Sequence, residues 1–250
     1  MLSTGPPEHG HRPAVDTLFR SAAHTLGPRV TGVILSGMLD DGSAGMVAIA
    51  SRGGTTIVQE PGDALYRGMP DSVLNLIEPD HVLPATKIGG VLAELAGQDV
   101  DPAQAPGSSP LLAAEVDMAW HADQGRPDLT AYGDRAGLIC PSCDGPLVEI
   151  VEQGTPRYRC HVGHGWAAQA LLVEQAMAAE RALWTALRTF EERGTLARRM
   201  AAVMGGIQPV MRDRYEQLAA ECAETAAALR TMLLSGMPEH REPPGADHPE

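Results

Sequence analysis

Three of the four cysteines in this 250-residue chain lie between Cys140 and Cys160, in the order Cys140-Pro-Ser-Cys143, sixteen residues, Cys160-His161-Val162-Gly163-His164. Two cysteine-bearing turns that each offer two ligands, joined by a hairpin, are the sequence form of a closed tetrahedral metal site. Leu147 to Val151 and Arg157 to Cys160 read as the hairpin strands, with a turn at Gln153 and Gly154. Adjacent residues on a strand point to opposite faces, so Cys160 and His161 do not chelate together. The Cys-x3-His turn makes His164 the fourth ligand and leaves His161 facing away. The expectation is a small zinc ribbon over 138–166, with structural Zn2+ held by Cys140, Cys143, Cys160 and His164. Arg157 and Arg159 lie beside Cys160 and are expected to offset part of the net negative charge of that site. A thioredoxin-like use of Cys-Pro-Ser-Cys is the rival, but that motif opens a helix. Here Gly145, Pro146 and a strand pattern follow. Reduced thiols without metal are the remaining alternative.

The rest of the composition narrows the class. Four cysteines are too few for a disulfide scaffold of this length, which points to a cytoplasmic chain. The longest apolar runs, such as Val30 to Leu35, fall far short of the ~18 residues of a membrane span, and MLSTGPPEHG has no secretory pattern. A formal net charge of −13 repels phosphate backbones and argues against nucleic acid as the main partner. Residues 98–137 are rich in Pro, Ala, Asp and Gly and read as a linker, on which Met118, Trp120 and Leu129 are candidates to dock on something. Over 167–235, Leu172, Ala176, Ala179, Leu183, Leu187 and Phe190, then Tyr215, Leu218, Cys222, Ala226, Leu229 and Leu233, recur at helical spacing. Two amphipathic helices joined through Gly205, Gly206 and Pro209 are expected to form a hairpin or to pair with another chain, with Cys222 as a small core residue. The tail, 236–250, has too few apolar residues to order.

Residues 1–97 alternate helix and strand. Pro13 precedes an apolar helical stripe of Val15, Leu18, Phe19, Ala22 and Leu26 that Gly27 ends. Val30 to Leu35 is a continuous apolar run, as in a strand covered on both faces. A helix over Ser43 to Arg52, a strand over Thr55 to Gln59, a helix over Pro70 to Ile77, a short strand at His81 to Leu83 and a helix carrying Ile88, Val91, Leu92 and Leu95 complete the pattern. The fold class is α/β: a partial doubly wound parallel sheet, then the ribbon, then the helical hairpin. Three parallel strands in about 97 residues leave an apolar edge and face open, so this region alone is expected to be aggregation-prone or partner-dependent.

In such sheets ligands bind beyond the carboxyl ends of the strands. The segment leaving the first strand, Ser36-Gly37-Met38-Leu39-Asp40-Asp41-Gly42-Ser43, places two carboxylates there. They read as helix caps, as an acidic metal site, or as a carboxylate that orients a catalytic histidine. HRPAVDTLFRSAA (His11 to Ala23), GVILSGMLDDGSAGM (Gly32 to Met46), GGTTIVQEP (Gly53 to Pro61) and RGMPDSV (Arg67 to Val73) resemble, in order and spacing, the chemotaxis protein-glutamate methylesterase family over roughly residues 5–96. The resemblance implies a doubly wound domain that hydrolyses glutamate methyl esters on chemoreceptors with a Ser, His and Asp triad, releasing methanol. It assigns the triad acid to Asp41 and a site-lining role to Met38, Gly68, Met69 and Pro70; core methionines and a turn proline are the alternative for these four. The partner it implies is a methylated chemoreceptor.

The family's serine and histidine belong to loops that precede the motif at His11 to Ala23, and nothing here replaces them. His11 matches a family position outside the triad, His9 and His24 lie in the wrong segments, and Ser36 ends a strand instead of occupying a nucleophile turn. The expectation is the carboxy-terminal part of a methylesterase catalytic domain, inactive alone, with neither the serine and histidine nor the regulatory phosphoacceptor domain of many family members. The rival class is a non-catalytic signalling protein that binds a partner through the ribbon and hairpin. A similar Cys/His module follows the esterase domain in a subset of family relatives.

Overall fold

The computed structural model describes residues 5–120, 128–152, 155–204 and 208–235. The expected turn at Gln153 and Gly154, the joint at Gly205 and Gly206, and the tail 236–250 lie outside the described residues. The chain divides into two compact units, Met1–Leu172 and Val173–Glu250.

In the first unit, α1 (Val15–Leu26) leads to β1 (Thr31–Ile34), α2 (Ser43–Ser51), β2 (Thr55–Gln59), α3 (Gly68–Leu74), β3 (His81–Leu83) and α4 (Ala85–Ala96). The three strands form a parallel sheet in the order β1-β2-β3, with Thr31 opposite Thr55 and Ile57 opposite His81. Ile34, Met46, Ile49, Val58, Val73 and Ala23 make the core between the sheet and α1 to α3. Gly54 backs onto the Val30 carbonyl, where a Cβ would come within 2.6 Å, and Gly53 turns the chain with φ +74°. The central strand β2 is buried on both faces from Thr56 onward. β1 differs from the expectation of two covered faces: half-buried and buried residues alternate along it, because it is an edge strand with a neighbour on one side only. Leu35, just beyond it, is 48% exposed.

The stretch read as a linker contains a helix, α5 (Pro110–Trp120), which packs on α1 and adds Leu112 to the α/β core. Met118 and Leu129 are buried with Val148 and Ile150 in a separate cluster. The cysteine-bearing region is larger than the expected hairpin. β4 (Asp134–Ile139), β5 (Pro146–Glu152), β6 (Thr155–Cys160) and β7 (Gly165–Ala167) form an antiparallel sheet in sequence order. The register shifts between Arg135 and Ile139, where Gly137 takes φ +69°; this irregularity concealed β4 from an alternation test. Leu147, Trp166 and Leu171 pack around Cys140 and Cys160.

The second unit is built from α6 (Ala168–Met204), whose first turn belongs to the first unit, and α7 (Pro209–Leu234). Gly194 lies against Cys222 and Ala219, while Glu191 pairs with Arg230, so the two helices run antiparallel. Cys222 and Ala226 are buried as the stripe requires, whereas Leu172 is 68% exposed and lies off it. No helix among the described residues is long and apolar enough to cross a membrane.

Candidate functional site

The loop leaving β1 is held by its backbone. Gly37 N–H donates to the Tyr66 carbonyl and Met69 N–H to the Gly37 carbonyl, both at 2.9 Å, so the segment before α3 is laid against the strand end. Gly68 sits so close to Leu39 that a Cβ would come within 2.9 Å of its nitrogen. The fold thus brings Gly68 and Met69 to the same strand end as Asp41. Met38 is 68% exposed beside them, and Pro70 is buried beneath.

Asp41 accepts two backbone bonds, from Val15 N–H at 2.9 Å and Asp16 N–H at 3.0 Å. It therefore caps α1, whose own N-cap, Ala14, has no side-chain acceptor. Asp16 in turn serves α2, accepting from Gly45 N–H at 2.6 Å. A carboxylate at each helix entry satisfies free N–H groups and complements the helix dipole. The cap read from sequence therefore exists, but it spans 25 or more residues and serves the neighbouring helix. Both Asp41 oxygens keep lone pairs beyond these two bonds.

Asp40 has a different environment. It is 8% exposed and its Oδ1 has no hydrogen-bond partner among the described residues. Burial pushes its carboxyl above the usual range against the opposing field of His9. A raised folded-state value means that the stability Asp40 contributes is complete below pH ~4 and is lost as pH rises through that value. Asp40→Asn is therefore expected to stabilise the first unit by about 1 kcal/mol at pH 7, read by denaturant unfolding. A loss of stability instead would mean that attraction to His9 outweighs burial.

His9, set aside in the sequence, is buried next to these acids. Its Nε2 lies 3.1 Å from Asp16 Oδ2, and its Nδ1 accepts from Ala167 N–H at 3.2 Å. Burial opposes a charge on the ring, but the bond to Asp16 and the field of Glu8 and Asp40 outweigh it and raise its pKa. With both nitrogens engaged, His9 has none left to deprotonate a hydroxyl. A serine–histidine hydrogen bond does occur elsewhere, between His24 Nδ1 and Ser108 Oγ at 2.8 Å. No carboxylate bonds the other nitrogen of His24 among the described residues, so this pair lacks the third member of a triad.

The second site is the cysteine cluster. One ligand atom from each of Cys140, Cys143, Cys160 and His164 lies within 4.8 Å of the others. His164 Nδ1 is 3.6 Å from Cys140 Sγ and 3.5 Å from Cys160 Sγ, while Cys143 Sγ is 3.5 Å from Cys160 Sγ. Such spacing suits a tetrahedral ion with Zn–S near ~2.3 Å and Zn–N near ~2.0–2.1 Å, as a general rule for zinc sites. The turns are drawn tight by Cys140 N–H to the Gly145 carbonyl at 2.8 Å and Cys160 N–H to the His164 carbonyl at 3.1 Å. Trp166 Nε1–H points at Cys140 Sγ at 3.4 Å, an outer-shell donor to a sulfur. His161 is exposed and its ring lies over Gly145. Burial pushes the Cys143 thiol up to about 12, so this ligand keeps its proton until a cation displaces it.

Arg157 and Arg159 do not serve the cluster electrostatically in the way their positions suggested. On β6 they alternate with Tyr158 and Cys160, so they face the other side of the strand. There Arg159 pairs with Glu8 and, at 3.2 Å, with Glu115; Arg157 pairs with Glu115 at 2.9 Å; and Arg20 pairs with Glu8. These buried partners come from four separate segments, which is why no local pattern exposed them. Glu8, His9 and Asp16 also lie close enough to group around an ion, but two guanidiniums already neutralise Glu8.

The family description CheB methylesterase matches residues 1–92. A protein-glutamate methylesterase/protein-glutamine glutaminase 1 from Xanthomonas euvesicatoria pv. vesicatoria (strain 85-10) is 38% identical over 97 residues, 39% of this chain and 27% of its own length. A protein-glutamate methylesterase/protein-glutamine glutaminase 2 from Xanthomonas campestris pv. campestris is 39% identical over 94 residues, 38% of this chain and 26% of its own. The chain thus spans about a quarter of the length of the curated relatives it matches. A crystal structure of the Thermotoga maritima CheB methylesterase catalytic domain aligns over 34% of this chain and 44% of that one, at 40% identity and a TM-score of 0.33.

Proposed function

We propose that residues 1–97 are the carboxy-terminal portion of a protein-glutamate methylesterase catalytic domain, in which Asp41 is the triad acid. The observation that carries this reading is Asp41 itself, held at the carboxyl end of β1 by two backbone N–H groups, within the stretch that matches the CheB methylesterase family. A carboxylate fixed in this way can accept an imidazole Nδ1–H, set its tautomer and stabilise the imidazolium that forms when a serine attacks an ester. The serine and histidine come from sequence outside these residues. Met38, Gly68 and Met69 line the approach to the acid, and the substrate is a glutamate methyl ester on a cytoplasmic chemoreceptor segment.

Methanol release from methylated receptor tests the reading. These 250 residues alone are expected to give none, because an acid without nucleophile and base has nothing to orient. Turnover is expected when a family amino-terminal half carrying the serine and histidine is supplied, and Asp41→Asn is expected to lower it by roughly 10⁴-fold, the scale of a lost triad acid. Turnover by the chain alone, or undiminished turnover of the Asp41→Asn variant in the reconstituted pair, would overturn the assignment.

For the cysteine cluster the proposal is one structural Zn2+ held by Cys140, Cys143, Cys160 and His164; donor chemistry and spacing support it. A non-catalytic role as a signalling adaptor is the second reading. The observation favouring it is that the amino-terminal segment's Glu8 and His9 are both bonded to the cysteine-bearing region, with no nitrogen of His9 left for catalysis.

A further inference from the structure

The cysteine cluster and the acid corner of the α/β sheet are joined, from the residue after His164 onward, by a run of hydrogen bonds that passes through His9. The turn between Cys160 and Ala167 grips the amino-terminal segment: Gly165 carbonyl accepts from His9 N–H at 2.8 Å, and Ala167 N–H donates to His9 Nδ1 at 3.2 Å. Glu8 and Gly165 share a parallel β-bridge. Gly163 and Gly165 allow this approach, since a Cβ at Gly163 would come within 2.7 Å of Pro6 and one at Gly165 within 3.0 Å of Glu8. From His9 the run continues through Nε2 to Asp16 at 3.1 Å, and from Asp16 to the Gly45 amide at 2.6 Å at the entry of α2. Asp16 N–H in turn donates to Asp41. Each link is buried or half-buried, where a hydrogen bond is not readily exchanged for one to water.

We infer that occupancy of the Cys140, Cys143, Cys160 and His164 cluster controls, through His9, how firmly Asp16 and Asp41 are held at the entries of α1 and α2. The inference rests on the metal reading of that cluster. A four-ligand ion fixes the turn from Cys160 to His164, and that turn carries the Gly165 carbonyl and Ala167 amide that hold His9. With the ion removed, the turn loosens with the rest of the cysteine-bearing sheet, and His9 loses the two contacts that aim its Nε2 at Asp16. The corner opens locally while β2, buried on both faces, keeps its protection. Metal would then regulate the acid at the strand end without touching it.

Hydrogen–deuterium exchange on the full chain, zinc-loaded and EDTA-stripped, with metal content measured on each sample, tests this. The expected result is roughly tenfold faster exchange of the Val15, Asp16 and Gly45 amides on stripping, with Ile57 and Val58 unchanged. His9→Ala is expected to keep one zinc per chain and to show the faster exchange whether loaded or stripped. If the loaded protein binds zinc but the three amides exchange alike in both states, the coupling is absent and the metal site stands. Persistence of the metal effect in zinc-bound His9→Ala overturns the route through His9, and equal acceleration of Ile57 and Val58 replaces a latch with global unfolding. A chain that takes up no zinc under any condition removes both the site and the coupling.

Discussion

Cys140→Ser is expected to release the metal and unfold Leu138–Trp166, while α6 beyond Leu172 and α7 keep their helicity. Cys140 is fully buried between Leu147, Cys160 and Trp166, so it is both a ligand and the centre of the small cluster around the site. That cluster is too small to order four strands, and structural zinc in isolated modules supplies on the order of 10 kcal/mol of folding free energy. Serine at this position gives a harder ligand and leaves a void beside Trp166. His164→Ala is expected to lose the ion and His161→Ala to keep it, because His164 Nδ1 faces two sulfurs whereas His161 lies over Gly145. Loading must displace a proton from Cys143, which, pushed up to about 12, is protonated throughout the working range. Affinity is therefore expected to fall at least about tenfold for each pH unit lost, which competition with a chromophoric chelator measures. Metal analysis of wild type and the three variants decides the assignment: retention by His164→Ala with loss by His161→Ala reverses the ligand, and metal-free wild type removes the site.

What sequence could and could not disclose follows from how far each feature reaches along the chain. The cysteine cluster was legible because its ligands are local pairs at fixed spacing, and β2 because its β-branched stretch Thr55 to Val58 follows the Gly53-Gly54 turn. β1 lies in an apolar run, yet one face is half exposed, since apolar content does not reveal whether a strand has one neighbour or two. β4 carries no alternation signal because Gly137 and the register shift break its pattern. α5 was hidden by the Pro- and Gly-rich stretch that leads into it, and Glu115 on that helix gave no sign of three arginine neighbours. Asp41 was found from its place in a motif. Its bonds to the α1 amides, 25 and 26 residues back, depend on tertiary packing that no spacing rule contains.

Glu8→Ala is expected to destabilise the first unit by about 3–5 kcal/mol, the range for removing one partner from a buried ionic group. Glu8 bridges Arg20 of α1 and Arg159 of β6, and its loss leaves both guanidiniums buried and sharing the Glu115 carboxylate. The cost comes from those stranded charges more than from the lost bonds. Burial would raise both glutamates, but Arg159 and Arg20 hold Glu8 well below the usual carboxylate range, and Arg157, Arg20 and Arg159 hold Glu115 at about 2. A depressed value in the folded state means that this stability is present above the unfolded pKa of about 4.5 and drains away as pH falls toward 2. Wild type is therefore expected to lose stability steeply between pH 4.5 and 2, and Glu8→Gln less steeply because one of the two carboxylates no longer takes up a proton. Replacing Glu8 and Arg20 together by Leu and Met is expected to cost less than Glu8→Ala alone, since fewer unpaired charges remain buried. Urea unfolding of the four proteins across that pH range reads all of this. A Glu8→Ala variant within about 1 kcal/mol of wild type at pH 7, with an unchanged acid profile, would mean that water reaches the cluster and screens it.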